Sequence, residues 1–433
     1  MRHAPLRALE AAFGAVLIAL VLAGNVRAAG EEGGVPPPGT VITSQNWQQY
    51  KNVMEDGLQT LFAGQYFWKL PADFQIEIGP THDYPLPKLY QEYTERYSKN
   101  VQIVTLPDGG HSIKGYVGGL AFANPSGPLK GWEILVNTWF EYVPHITCSP
   151  NNHVFLRDRY GNLSTEVAAT VYRQFSFVSD PGVPNSDPNN VGIYYSEYTR
   201  VLEPEQSRYT TQLTLYYTDP TKNEDLFLFI PALRRTLRLS SASRCSPFVG
   251  TDWIQDDVKQ LFNGGIVRFD ANLVGEPKIL ALTVANESDV SNMNNYSIFL
   301  PSPKIGKWEV RDSYLLDVRR IPSQRSGYCI GKRMLYVDKQ QWTQFWADLY
   351  DENMKYWKST SFQQIAHNVP DVGPVMYTGE YLVALWDQQN NHASAWIANP
   401  PYGTNQQCEN LGGVNYTDTK LYSSVGGLSS IMQ

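Results

Sequence analysis

The sequence predicts a mainly β protein with a few helices, an α+β chain organised on one long antiparallel sheet. Three observations predict it. Segments of alternating apolar and polar residues recur from Val101 onwards, and clusters of Gly, Pro, Asn and Asp punctuate them. Only two stretches, Gln45 to Phe62 and Pro87 to Asn100, place apolar residues at spacings of three to four. No propeller or solenoid period breaks this rhythm.

Residues 1 to 28 have the composition of an export signal: Arg2 and Arg7, an apolar run from Ala11 to Leu22, then Val26-Arg27-Ala28 with small residues for cleavage. The run is short for a membrane span, no second one follows, and no cysteine stands after the cleavage region to accept a lipid. The expectation is a soluble periplasmic protein whose membrane contact is peripheral at most. Losing these residues removes three arginines and one glutamate and moves the formal charge from −7 to −9, which disfavours nucleic acid as a partner.

Residues 29 to 62 form a leader, with Pro36 to Pro38, and the first helix, capped by Thr43 or Ser44 and carrying Trp47, Tyr50, Met54, Leu58 and Leu61 on one face. The second helix starts at Pro87, with Leu89 or Tyr90, Tyr93 and Tyr97 along one side. Residues 63 to 399 read as one β domain. Strand Gln102 to Leu106 meets the turn Pro107 to Gly110; further turns fall at Asn151-Asn152 and Tyr160 to Asn162, and Ser179 to Asn190 is an exposed loop. In the strand Arg208 to Thr218, Leu213, Leu215 and Tyr217 alternate with Gln212, Thr214 and Tyr216. Later strands run over Lys278 to Val284, Gly306 to Val318 and Lys332 to Asp338. Asp351 to Met354 turns a hairpin, and Asn390-Asn391 joins Val375 to Trp386 with Ala393 to Ala398. Residues 400 to 433 are a polar tail, expected as an extended wrap.

The stretch from Asp225 to Val258 organises the rest. Leu226 to Ile230 is a strand that Pro231 ends; a second strand follows, with Leu233, Leu237 and Leu239 set among Arg234, Arg235 and Arg238. In extended chain Arg234 and Arg238 share a face and Arg235 takes the other. Pairing with Asp252 and Asp257 inside the chain would make the charges structural, the reading favoured for Arg238 and Arg244. An outward Arg235 would meet an acidic partner.

Pro231-Ala-Leu-Arg-Arg235, Arg238, Arg244, Phe248, Gly250-Thr-Asp252 and Asp257 resemble the central motif of the LolA/LolB-like superfamily, in particular proteobacterial envelope proteins labelled outer-membrane lipoprotein-sorting proteins of unknown function. Gly118 to Gly127 with Trp132, Glu133 and Asn137, and Tyr336 to Asp338 through Asp351 to Trp357, are similar to two further blocks, so that the likeness covers about residues 63 to 360. It implies a curved half-barrel sheet with covering helices. It also implies a non-catalytic carrier of lipid, lipoprotein acyl chains or another hydrophobic molecule, working beside envelope or outer-membrane transport proteins. The expected ligand-binding set is Leu213, Leu215, Tyr217, Leu226, Leu228 and Ile230.

Cys148, Cys245, Cys329 and Cys408 are widely spaced in an exported chain, which favours disulfides, in any of three pairings, over metal ligation or a thiol nucleophile. No nucleotide-binding, serine-hydrolase or zinc-protease motif is present, and the histidines are scattered, so neither cofactor nor metal is expected. Two rivals stand beside the carrier: an adaptor docked by its arginines, and an envelope hydrolase using Asp256 with Asp257, or Asp348 with Asp351, as acid and base.

Overall fold

A computed structural model of the chain describes residues 34–240, 244–376, 381–409, 411 and 416–429; the expected export signal lies outside them. One antiparallel sheet dominates. Its first meander is β1 (Ile146–Arg157), β2 (Leu163–Gln174), β3 (Ile193–Glu203), β4 (Thr211–Tyr217), β5 (Asp225–Ile230) and β6 (Arg235–Leu239). After a long crossing come β7 (Phe269–Gly275), β8 (Lys278–Ala281), β9 (Glu309–Arg320), β10 (Ile330–Asp338), β11 (Gln344–Asp351), β12 (Tyr356–Gln364), β13 (Tyr381–Asp387), β14 (His392–Ala398) and β15 (Gly403–Thr404). The order is β6-β5-β4-β3-β2-β1-β14-β13-β12-β11-β10-β9-β7, with β8 also on β9 and β15 on β1. The halves join where β14 pairs with β1, Trp396 opposite Val154.

This order puts β6 and β7 at opposite edges, so residues 240–268 must travel from one edge to the other. Gln212 on β4 donates to Gln255 Oε1 at 3.0 Å, and Arg320 on β9 donates to the adjacent Asp256, Oδ2, at 3.1 Å. Those two strands are nine steps apart in the sheet. In a flat sheet they would be about 43 Å apart at the usual strand spacing. Two neighbouring residues can touch both only if the sheet curls around them, so the sheet is a trough and the crossing segment fills it.

Both faces are covered. Inside the trough, Phe248, Trp253, Ile254, Leu261 and Phe262 pack on Val154, Ala168, Leu335, Val383 and Trp396. Helix α3 (Lys130–Trp139) lies on the same side, and Tyr90 of α2 (Lys88–Tyr97) joins it by donating to Phe140 O at 2.7 Å. Gly131 lets α3 lie close against β7, since a Cβ there would stand 2.4 Å from Ala271 O. The outer face is split. Leader residues and α1 (Asp56–Phe62) cover Trp346, Trp386 and Ile397, while the tail covers β1 to β5 with Tyr416, Tyr422 and Leu428.

The first expected helix is therefore two pieces. Trp47–Val53 is a tighter 3-10 helix of about two turns, and α1 restarts after Glu55, whose carboxylate caps it by accepting from Leu58 N at 2.6 Å. It also lies on the outer face and not over the trough. Helix α3 falls where the periodicity was read as β, because it is buried almost all round and shows no polar stripe. Asn151-Asn152 is not a turn but an irregularity inside β1, where the register shifts between Ser149 and Asn152. Val375 ends a separate small hairpin, His367–Val369 with Gly373–Val375. Among the described residues no helix is long and apolar enough to cross a membrane.

Candidate functional site

The crossing segment is anchored by charge. Arg244 donates to Asp256 Oδ1 at 2.9 Å and pairs with Glu224, Arg320 holds the other oxygen of Asp256, and Arg333 pairs with Asp257. All of these side chains are buried. Burial pushes the Asp256 carboxyl up, but Arg244 first, then Arg268, Arg320 and Arg333, outweigh it and hold it well below the usual carboxylate range. The Cys245–Cys329 disulfide fastens the start of the segment to the β9–β10 connection, and Cys148–Cys408 fastens the tail to β1.

Between the anchored segment and the sheet lies a cavity of about 120 Å³. Its roof is Phe248, Trp253, Asp257, Val258 and Lys259; its walls are Phe362, Val383 and Trp396 from β12 to β14, and its floor includes Thr147, Ser149, Thr170, Tyr172, Glu197 and Thr199 from β1 to β3. Trp253 is fixed by its indole N–H on Thr360 Oγ1 at 3.2 Å.

Lys259, Gln260 and Leu261 all have positive φ, 58°, 54° and 67°. Three consecutive side-chain-bearing residues in the left-handed region cost energy that the surrounding anchors must supply. The kink drives Lys259 inward, where its ammonium donates to Trp139 O at 3.3 Å and sits over the rings of Trp139, Tyr172, Tyr194 and Tyr195. Desolvation lowers its pKa, opposed by Glu141 and Glu197. Desolvation pushes the Glu197 carboxyl up to about 7 against the pull of Lys259 and Asn263; Asn263 Nδ2 donates to it at 3.1 Å.

The expected ligand-binding set does not assemble on this cavity. Leu213, Leu215 and Tyr217 face the other way, into the cluster of Cys148, Tyr198, Tyr416 and Tyr422. Leu226 and Leu228 pair opposite Thr214 and Gln212, which puts them and Ile230 on the opposite face from Leu213 and outside the cavity lining. Antiparallel register set Leu213 against Phe227, and that one-residue offset separated the two triplets. Arg234 sits at the β5–β6 turn with φ 48°, so it is not in the strand; Arg235 and Arg238 are exposed on the edge strand, and Arg238 pairs with Asp225. Asp252 takes Ser394 Oγ at 2.6 Å and His392 at 3.2 Å, so neither it nor Asp257 is the partner of Arg238.

Lys259, Glu197 and Ser149 escaped the sequence reading, which ended its central stretch one residue before Lys259. The available signal was a Lys-Gln pair between Val258 and Leu261-Phe262, polar residues inside an apolar run. Among the described residues no three His, Cys, Asp or Glu side chains converge to hold a metal ion.

Residues 41–414 match the family described as a protein of unknown function, DUF1329. No curated protein matches. Among solved structures, a DUF1329 family protein from Desulfovibrio piger is 14% identical, covering 70% of this chain and 100% of its own at a TM-score of 0.48. A domain named for outer membrane lipoprotein sorting, from Vibrio parahaemolyticus, is 14% identical, covering 68% and 99% at 0.45. A LolA superfamily protein from Nitrosomonas europaea is 12% identical, covering 68% and 97% at 0.38.

Proposed function

The chain belongs to the DUF1329 family, and we propose that it is a non-catalytic periplasmic carrier that holds a lipid, an acyl chain or another hydrophobic molecule in the trough. The observation that carries this is the cavity beneath the anchored crossing segment, walled by Phe248, Trp253, Phe362, Val383 and Trp396. Each methylene moved from water into such a lining gains about 0.8 kcal/mol. The ion pairs and the Cys245–Cys329 disulfide support the reading by holding the roof off the floor where simple packing would close it. Asp256 and Asp257 are both clamped by guanidinium groups, which argues against their use as an acid and base pair.

An adaptor role has one observation in its favour, the exposed arginines of edge strand β6, and it can coexist with carriage by docking the loaded protein on an envelope transport partner. Native mass spectrometry of the protein purified from its own envelope tests the carrier. The expected result is the chain plus a hydrophobic mass that organic solvent removes. A bare chain that also fails to take up a fluorescent fatty acid would sink the proposal.

A further inference from the structure

The cavity is graded in polarity along β1. At one end Thr147, Tyr172 and Glu197 stand side by side in register, under Lys259. Ser149, Thr170 and Thr199 form the next row. Past the irregularity at Asn152 the lining turns to Trp396, Val383 and Phe362, with Phe248 and Trp253 above. A molecule uniformly apolar would waste the first two rows.

Two groups at those rows have donors to spare. Lys259 has three N–H groups and spends one on Trp139 O. Ser149 is buried and its Oγ has no hydrogen-bond partner among the described residues. A buried donor without an acceptor costs about 1–3 kcal/mol, so these groups are placed for acceptors that arrive with the ligand. Glu197 lies within the field of Lys259, and its oxygens accept from Asn263 and Gln255. Glu141, in the α3–β1 connection, also acts on Lys259 and is absent from the cavity lining. Taking the carrier reading as its basis, we infer that the cargo is an amphiphile with a carboxylate head, seated head-first against Lys259 and Ser149 with its chain toward Phe362 and Trp396.

Calorimetric titration of the delipidated protein with decanoate, methyl decanoate and decylamine tests it. Decanoate binds most tightly, the methyl ester less so, and decylamine at least about tenfold more weakly, the factor that one charge-assisted hydrogen bond supplies. Lys259→Met lowers decanoate affinity by about tenfold and leaves the ester within twofold. Should Lys259→Met fail to fold, Ser149→Ala replaces it, with about a threefold loss for decanoate and unchanged circular dichroism. Equal affinity for the three heads, or decanoate binding unaffected in the folded variant, overturns the head assignment while leaving the carrier intact. Failure of all three chains to bind overturns the carrier itself.

Discussion

Two sets of buried carboxylates sit on opposite faces of the same sheet and meet burial in opposite ways. In the trough, Asp256 and Asp257 are surrounded by Arg244, Arg268, Arg320 and Arg333, and Asp256 stays ionised far below the usual range. On the outer face, Glu55 and Asp348 have no cation beside them among the described residues. Desolvation, with Asp56 next, pushes the Asp348 carboxyl up to about 7; desolvation and then Asp348 raise Glu55 well above its ordinary value. The hydrogen bonds that Asp348 accepts, from Tyr356 at 2.9 Å and from Asp56 N at 3.2 Å, do not offset this. Burial alone expels charge; burial with guanidinium partners fixes it. The trough therefore spends its charges on holding a roof in place, while the outer cluster joins α1 to β11 with protons.

The largest expected effect follows from removing a cation in the trough. Arg333→Met leaves Asp257 buried and unpaired and should cost about 3–5 kcal/mol in urea unfolding. A loss below 1 kcal/mol would mean that the trough cluster is no tighter than the outer one and would erase the contrast. Second in size is the Cys245–Cys329 staple. Its removal by paired serine substitutions should cost about 2–4 kcal/mol. It should also weaken uptake of a fluorescent fatty acid, because the roof loses its fixed start.

The outer cluster gives a gentler effect, spread over pH. Asp348 is raised when folded, so its contribution to stability is full below its unfolded value near 4, declines as pH rises toward about 7, and is gone above that. The slope for one proton is at most about 1.4 kcal/mol per pH unit. Unfolding measured from pH 4 to 8 should show this decline, and Asp348→Asn should flatten it. A decline that persists in that variant would assign the proton to Glu55.

The strand rhythm, the β5–β6 hairpin and the disulfide preference were legible because each is local: alternation, a proline break, cysteines in an exported composition. The trough was not. Its curvature depends on β1 pairing with β14, far apart in sequence, and on a crossing segment that reads locally as turns and short coils. The ligand-binding set failed for a related reason. Alternation was read correctly within β4 and within β5, but which triplet of one strand faces which of the other is a matter of register, and register is set by the turn and the pairing. Arg244 and Asp257 were rightly singled out as a charged motif. Asp257's partner Arg333 came from β10, which nothing in the motif announces.

The arginines of that motif give the smallest expected effect. Arg244 is enclosed by Asp256 and Glu224, whereas Arg238 pairs with Asp225 at the open edge of β6, where water screens the pair. Asp225 also accepts from Tyr217 OH at 2.5 Å, so it is not orphaned when Arg238 is lost. Arg238→Ala should thus leave the melting temperature unchanged, against a clear fall for Arg244→Ala. Arg235, exposed on the same edge and with no ion-pair partner among the described residues, should behave like Arg238 in a melt and differ from it in association. If β6 docks on an acidic envelope partner, Arg235→Ala slows that association at low salt, and the difference from wild type shrinks as salt is raised. A fall in melting temperature for Arg238→Ala comparable to that of Arg244→Ala would place the edge strand inside the trough's ionic network and undo the distinction between a structural and an outward-facing arginine.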